Sequence, residues 1–395
     1  MVKQIELDLA NVPREVILIL QLLKKDNHKL IEENSTNIFA DIDWNLFIEQ
    51  AKHHRVFPVL QSKLKGISNK LIPSFVFQNL LLDYKINTFN MLKLSAEMER
   101  VSKIFIEEEI RLLFLKGPVI AHELYGDISL RTSSDLDFLI PLEDLNKAEV
   151  LLQQLGYEKE DYIKTVLNDW KWRHHHVTYF HPQKQMKLEI HWRLNPGPGF
   201  EPNFEELWKR KSKSKLTTYP VFFLGKEDLF LFLVSHGARH GWSRLRWLLD
   251  IHHMTEQDID WGKTNKLLKK YHIHNLGAQA LVLSTKLLNS KISVDMKSIL
   301  ENRDSCGLAQ EAIFYLERMV NLHTDPVPED ISRYHKRHLI SLMSGRQKVL
   351  FYLSVLHPYS EDAETLPLPK QLHFLYFPLR PVLWAWRRTR KHALP

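Results

Sequence analysis

The chain has almost no cysteine. Cys306 stands alone among 395 residues, which excludes an intramolecular disulfide and any cysteine-rich metal site. No uninterrupted apolar stretch is long enough to span a bilayer. The opening Met1-Val2-Lys3-Gln4-Ile5-Glu6-Leu7-Asp8 lacks the basic-then-apolar order of a signal peptide. There is no arginine-rich helix, zinc finger or RNA-recognition pattern, so nucleic acid is not indicated as a partner. These absences lead to the expectation of a soluble, cytoplasmic protein.

What is present describes a globular chain. Hydrophobic residues make up 44% and charged residues 26%, and the length suits two or three domains. A net charge of +7 favours an anionic substrate or an acidic surface. Part of that excess sits at the end, in Trp386-Arg387-Arg388-Thr389-Arg390-Lys391-His392. The preceding aromatic stretch, Phe374 to Trp386, is interrupted by Pro378, Arg380 and Pro381 and is no transmembrane span. It reads either as a weak interfacial membrane anchor or as a segment packed on the protein's own helices.

Periodicity divides the chain into four parts. Residues 1–100 form an N-terminal helical region. Residues 101–225 form an α/β core: a helix from Val101, a strand Arg111 to Leu115, a helix opened by Pro118, a second strand at Asp135, a helix Asp144 to Leu155, and an antiparallel pair spanning His174 to Phe180 and Met186 to Trp192 with its turn at Pro182-Gln183. Residues 226–345 form a C-terminal helical domain, with one long helical pattern from Leu229 through Asp250, and residues 346–395 form an aromatic, basic tail. The expected fold is α+β, a small mixed sheet with helices, flanked by helical regions.

Three D-x-D pairs occur. Asp41-Ile42-Asp43-Trp44 and Asp258-Ile259-Asp260-Trp261 precede helical runs and read as N-caps. Asp135-Leu136-Asp137 instead leads into the strand Phe138-Leu139-Ile140, ending at Pro141. In a strand, residues i and i+2 face the same side, so both carboxylates converge. Their repulsion calls for a compensating cation, and Mg2+ is the natural hard ion, usually arriving with phosphates.

Phe114-Leu115-Lys116-Gly117, Leu124-Tyr125, Arg131, the Asp135-Leu136-Asp137-Phe138-Leu139 strand and Leu155-Gly156-Tyr157 resemble the nucleotidyltransferase superfamily with the DNA-polymerase-β-like fold. The resemblance is nearest to the bacterial nucleotidyltransferases associated with polysaccharide and peptide natural-product genes. It extends to Asp43-Trp44 with His53-His54-Arg55, to Glu189-Ile190-His191-Trp192, and to His236, His240, Trp242, Arg244, Trp247 and Asp250. It implies a polymerase-β-like core and two Mg2+ ions, with Mn2+ as the substitute, on Asp135, Asp137 and Glu189. Glu189 is either the third ligand or a general base. The resemblance also implies a phosphate-binding turn at Gly117. Here Pro118 follows and has no N–H to donate, which leaves Lys116, Ser133 and Ser134 to replace it. Arg131 is placed either on a phosphate or in a loop ion pair. His191, His236, His240, Arg244 and Asp250 are expected on the acceptor side.

The expected reaction moves a nucleotidyl or related phosphate-linked group from an NTP to a hydroxyl or phosphate of a small-molecule, glycan or peptide acceptor. Two alternatives stay open: a glycosyltransferase-like enzyme using a nucleotide sugar, and a non-catalytic scaffold. A zinc reading of His174 and His176 with His191 is set against the absence of any matching zinc motif.

Overall fold

The computed structural model describes residues 6–24, 38–65, 67, 71–301 and 304–391. Its centre is a seven-stranded mixed sheet in the order β3-β4-β5-β2-β1-β7-β6. The strands are β1 (Leu113–Phe114), β2 (Asp135–Leu139), β3 (Glu158–Lys159), β4 (His176–His181), β5 (Met186–His191), β6 (Ser212–Lys213) and β7 (Phe222–Phe223). β2 runs parallel to β5 and antiparallel to β1, and β4 pairs antiparallel with β5. Alternation in β5 explains its place. Leu188 and Ile190 are buried in the core, while Lys187 and Glu189 take the polar side.

Before the sheet come α1 (Arg14–Leu23), α2 (Trp44–His53), α3 (Phe57–Leu64) and α4 (Ser74–Glu107). α4 has 34 residues and is about 50 Å long. The segment expected as a separate helix from Val101 is its last part. The cap readings hold at the second Asp of each pair. Asp43 accepts from Asn45 N and Leu46 N, and Asp260 accepts from Lys263 N. The core strand expected at Arg111–Leu115 is shorter, Leu113–Phe114, with Leu115 N still donating to the Asp137 carbonyl at 2.8 Å.

α5 (Pro118–Tyr125) and α6 (Leu145–Gln154) lie within the sheet region. After it come α7 (Lys226–Arg239), α8 (Leu245–Thr255), α9 (His274–Leu288) and α10 (Ser305–Glu317). The single helix expected from Leu229 to Asp250 is therefore two. Gly241 (φ 61°) and Trp242 (φ 54°) adopt left-handed backbone between them. Trp242 folds back on Gly237, where a Cβ would lie 2.2 Å from the indole, and its Nε1 donates to Gln279 Oε1 at 2.8 Å. The apolar pattern continues across this break because both halves are buried, which is why periodicity does not show it.

One contiguous apolar core runs from Val12 to Leu342. The last helix, α11 (Tyr376–Lys391), packs separately, through Tyr376 and Leu383, on Val166. Trp384 and Trp386 on it are 52% and 53% exposed, while Arg380 and Arg387 pair with the buried Asp362 at 2.6 and 2.8 Å. No helix among the described residues is long and apolar enough to cross a membrane.

Candidate active site

Register builds the site. β2, β5 and β4 place residues in rows across one sheet face: Asp135 beside Lys187 and then Phe180, Asp137 beside Glu189 and then Thr178, Leu139 beside His191 and then His176. Neighbouring strands are about 4.8 Å apart, whereas residues i and i+2 of one strand are about 6.5 Å apart. The tightest cluster is therefore cross-strand. Oxygen and nitrogen atoms of Asp137, Glu189 and His191 lie within 4.8 Å of one another, and Asp135 is not part of that group. Asp135 shares the face, as expected from the D-x-D spacing, but stands one step along it, near the Ser133 hydroxyl.

Asp137 is fully buried. Its Oδ1 is 3.1 Å from Lys116 Nζ and 3.3 Å from His191 Nε2, and its Oδ2 has no partner among the described residues. Glu189 Oε2 is 3.5 Å from His191 Nε2. Burial pushes the Glu189 carboxyl up, but the hydrogen bond from His191 and the positive charges of Lys116 and His191 outweigh it and hold it down at about 2. Burial opposes the charged form of His191, yet hydrogen bonds and attraction from Asp137 and Glu189 win and raise its pKa. The buried unpartnered Asp137 oxygen and the ionised Glu189 are close enough together to serve as oxygen donors to a hard divalent ion, with Asp135 on the same face one step away.

These residues floor a cavity of about 740 Å³. Its other walls are cationic: Lys116 after β1, Arg55 after α2, Arg239 at the end of α7, Arg244 just before α8 and Arg246 within it. Burial, then repulsion from Arg131 and Arg55, lowers Arg246 to about 9. Burial lowers Arg239 to about 10, and burial with repulsion from Arg55 lowers Arg244 to about 10. Crowded cations with depressed pKa values stand ready for an anion of high charge. His236 and His240 also line the cavity, each held neutral by burial and by nearby positive charge. His240 stacks between Trp247 and His323, at 5.1 and 5.2 Å.

The structure gathers Lys116, Ser133, Ser134, Asp135, Glu189, His191, His236, His240 and Arg244 around one cavity, with Asp137 beneath it. It sets three expected residues apart. Gly117, with φ 86°, makes the turn into α5, and Leu136 Cδ2 would lie 3.3 Å from an added Cβ; it does not line the cavity. Arg131 and Asp250 face each other rather than phosphate or acceptor: Arg131 Nε and Nη2 donate to the two Asp250 oxygens at 2.9 Å each, and both residues are buried. His175, Arg239, Arg246 and His323 were not anticipated, while Arg55 and Trp247 had entered only within the stretches that carry the family resemblance and His176 only in the zinc reading. Arg239 had a visible signal, since it stands three residues after His236 on one helix face. Arg55 and His323 reach the cavity only through the tertiary fold.

A carboxylate-floored, cation-walled cavity on a mixed sheet has the charge pattern that phosphate-handling chemistry needs. The family described as uncharacterised nucleotidyltransferase matches residues 40–289, and the chain belongs to it. It is thus a nucleotidyltransferase and an enzyme of the transferase class. Among solved structures the chain is similar to MenT4, a nucleotidyltransferase toxin from Mycobacterium tuberculosis H37Rv. The identity is 16% over 65% of this chain and 95% of that one, with a TM-score of 0.28, and no residue role passes between the two. No curated protein is similar to the chain at a significant level.

Proposed function

We propose that the enzyme moves a nucleotidyl group from an NTP to a hydroxyl or phosphate on a small-molecule, glycan or peptide acceptor, in a reaction that depends on Mg2+. One observation carries this reading: Asp135, Asp137 and Glu189 share one sheet face beneath a wall of Arg55, Lys116, Arg239, Arg244 and Arg246. Carboxylates that collect metal and cations that collect phosphate are the two halves of phosphoryl-group chemistry. The cavity volume of about 740 Å³ lies in the range of about 300–1,000 Å³ usual for small-molecule sites.

Asp135, Asp137 and Glu189 would hold Mg2+, which when bound supplies charge neutralisation at the attacking and leaving oxygens. A carboxyl held down at about 2 is a good ligand and a poor base at neutral pH, so Glu189 serves as ligand. Lys116 orients Asp137 through their 3.1 Å contact. Arg239, Arg244 and Arg246 bind the triphosphate, and Ser133 and Ser134 offer hydroxyls at the cavity edge. The Trp247–His240–His323 stack offers ring faces to a base or a sugar.

Each NTP is incubated with the protein and Mg2+, and released pyrophosphate is measured against released nucleoside diphosphate. Pyrophosphate that disappears with Asp137→Asn supports the reading. Nucleoside diphosphate released from nucleotide sugars, with none of the NTPs giving pyrophosphate, overturns it.

A further inference from the structure

We propose that His175, His176 and His191 form a separate nitrogen-ligand position for a borderline divalent ion of the Zn2+ type, beside the carboxylate position. One ring nitrogen from each of the three lies within 4.8 Å of the others. His175 Nε2 and His176 Nδ1 share a hydrogen bond at 3.1 Å; a tetrahedral ion with Zn–N bonds of about 2.0 Å places its nitrogens about 3.3 Å apart, so an ion would take the place of the shared proton with little movement of the rings. The third ring is centred 5.3 Å from His175 and 5.0 Å from His176.

Adjacent residues of a regular strand point to opposite faces, so His175 and His176 should not converge. They do because β4 begins only at His176. The His175 carbonyl accepts from both Trp192 N at 3.0 Å and Arg193 N at 3.4 Å. Trp192 and Arg193 lie just past the end of β5, so the pairing beyond His176 and His191 is irregular and strict alternation no longer sets the direction of the His175 ring. The sequence pattern therefore picks His174 as the partner of His176, and the fold supplies His175.

His191 carries the second argument. Its Nε2 faces Asp137 Oδ1 at 3.3 Å, and its Nδ1 is buried with no partner among the described residues. A histidine that donates one N–H to a carboxylate presents the other nitrogen's lone pair, which is the usual way a metal-bound imidazole is held. Lys116 and Arg239 stand close and oppose a further positive ion. Asp137, Glu189 and bound phosphate offset them, so pyrophosphate should tighten the ion's binding. Three protein ligands leave a coordination position open, as in catalytic rather than structural zinc sites, and such an ion supplies Lewis-acid polarisation of an acceptor or phosphate oxygen. Mg2+ prefers oxygen donors and does not compete for this set.

The ligand set stands on geometry; only the ion's role rests on the transferase reading. The test uses the full chain, stripped with chelator and titrated with Zn2+ in the presence and absence of pyrophosphate. One Zn2+ per chain is expected, with affinity lowered by about 100-fold or more in His175→Gln and in His176→Gln and kept in Asp135→Asn. Co2+ in the wild-type protein should give the intense visible bands of a tetrahedral nitrogen site, a readout that needs no variant. Weak octahedral bands, no bound Zn2+, or equal affinity in the folded histidine variants overturns the site. Pyrophosphate release from NTP with Mg2+ alone is read in parallel. Its presence without Zn2+ binding sinks only the histidine site, and Zn2+ binding without pyrophosphate release sinks only the transferase reading.

Discussion

Arg131 and Asp250 meet in a two-pronged ion pair, both hydrogen bonds at 2.9 Å, joining residues 119 positions apart. The Tyr125 hydroxyl donates to the same Asp250 oxygen at 2.8 Å. This pair fixes the approach to β2 against α8, so the carboxylate strand and the cationic wall are held in one frame. Removing one partner strands a buried charge, which costs about 3–5 kcal/mol. Arg131→Ala and Asp250→Ala should each lower the chemical denaturation midpoint strongly. Arg131→Lys should recover only part, because an ammonium cannot make the paired geometry. A variant of normal stability with a raised KM for NTP would instead put Arg131 on the phosphates.

The three D-x-D pairs separate by experiment. Asp135→Asn and Asp137→Asn should each lower turnover by two or more orders of magnitude, about 3 kcal/mol or more of barrier. Loss of repulsion favours Asp135→Asn in stability. Asp137→Asn has no such gain, since it strips Lys116 and His191 of their partner. Asp43→Ala and Asp260→Ala should cost about 1 kcal/mol each through lost caps, with turnover unchanged. Asp41→Asn and Asp258→Asn should do neither. Paired measurements of unfolding free energy and pyrophosphate release decide each case, and near-normal turnover in Asp137→Asn would refute the metal-dependent mechanism.

The carboxylate floor was legible in part because Asp135 and Asp137 are local. Two residues apart on one strand is a distance that alternation controls, whereas Glu189 and His191 stand on β5, a strand that reaches β2 in parallel through the tertiary fold, and their place beside the two aspartates was expected only from the family resemblance. The roof was legible only in part. His236, His240 and Arg244 stood out as polar residues in an apolar run, yet the break at Gly241 and Trp242 was hidden by burial on both sides of it. Arg55 has φ 55° and enters the cavity from the N-terminal helices, a placement that no local pattern specifies. Arg131 and Asp250 show the converse limit: charge type and proximity to the motif suggested substrate, while a buried partner 119 residues away had already claimed each.

The roof residues should act on binding more than on the chemical step. Arg239, Arg244 and Arg246 line the cavity beside one another, and the first two are not needed to close any ion pair within it. Arg244→Ala and Arg239→Ala should raise KM for NTP about tenfold or more, the range of one charge-assisted contact to phosphate, with a smaller fall in kcat. High salt should weaken NTP binding in the wild type and less so in Arg244→Ala. Steady-state kinetics at two ionic strengths measures both. An unchanged KM in Arg239→Ala and Arg244→Ala would make this wall merely structural.

Acid should destabilise the fold well above the range where carboxylates titrate. His54 is fully buried, and desolvation with repulsion from His53 lowers it to about 3. Its Nδ1 accepts from Leu245 N at 3.4 Å, a contact that needs the neutral ring. His236 is likewise held well below its ordinary value by burial and by Lys116, His240, Arg239 and Arg246. For such groups the unfolded chain takes up a proton below about pH 6.5 that the native chain refuses, so stability falls as pH falls through that value. Each approaches a loss of about 1.4 kcal/mol per pH unit once the unfolded histidine is charged. His191 has the opposite sign. Its raised pKa gives stability that is present below about pH 6.5 and lost as pH rises through its folded value, but it is outnumbered. The denaturation midpoint should therefore drop between pH 7.5 and pH 5.5, and His54→Gln should flatten that drop if it folds. Asp137→Asn removes the partner that raises His191 and should make the drop steeper. A midpoint that holds level or rises on acidification would mean that the buried histidines are already charged in the folded protein.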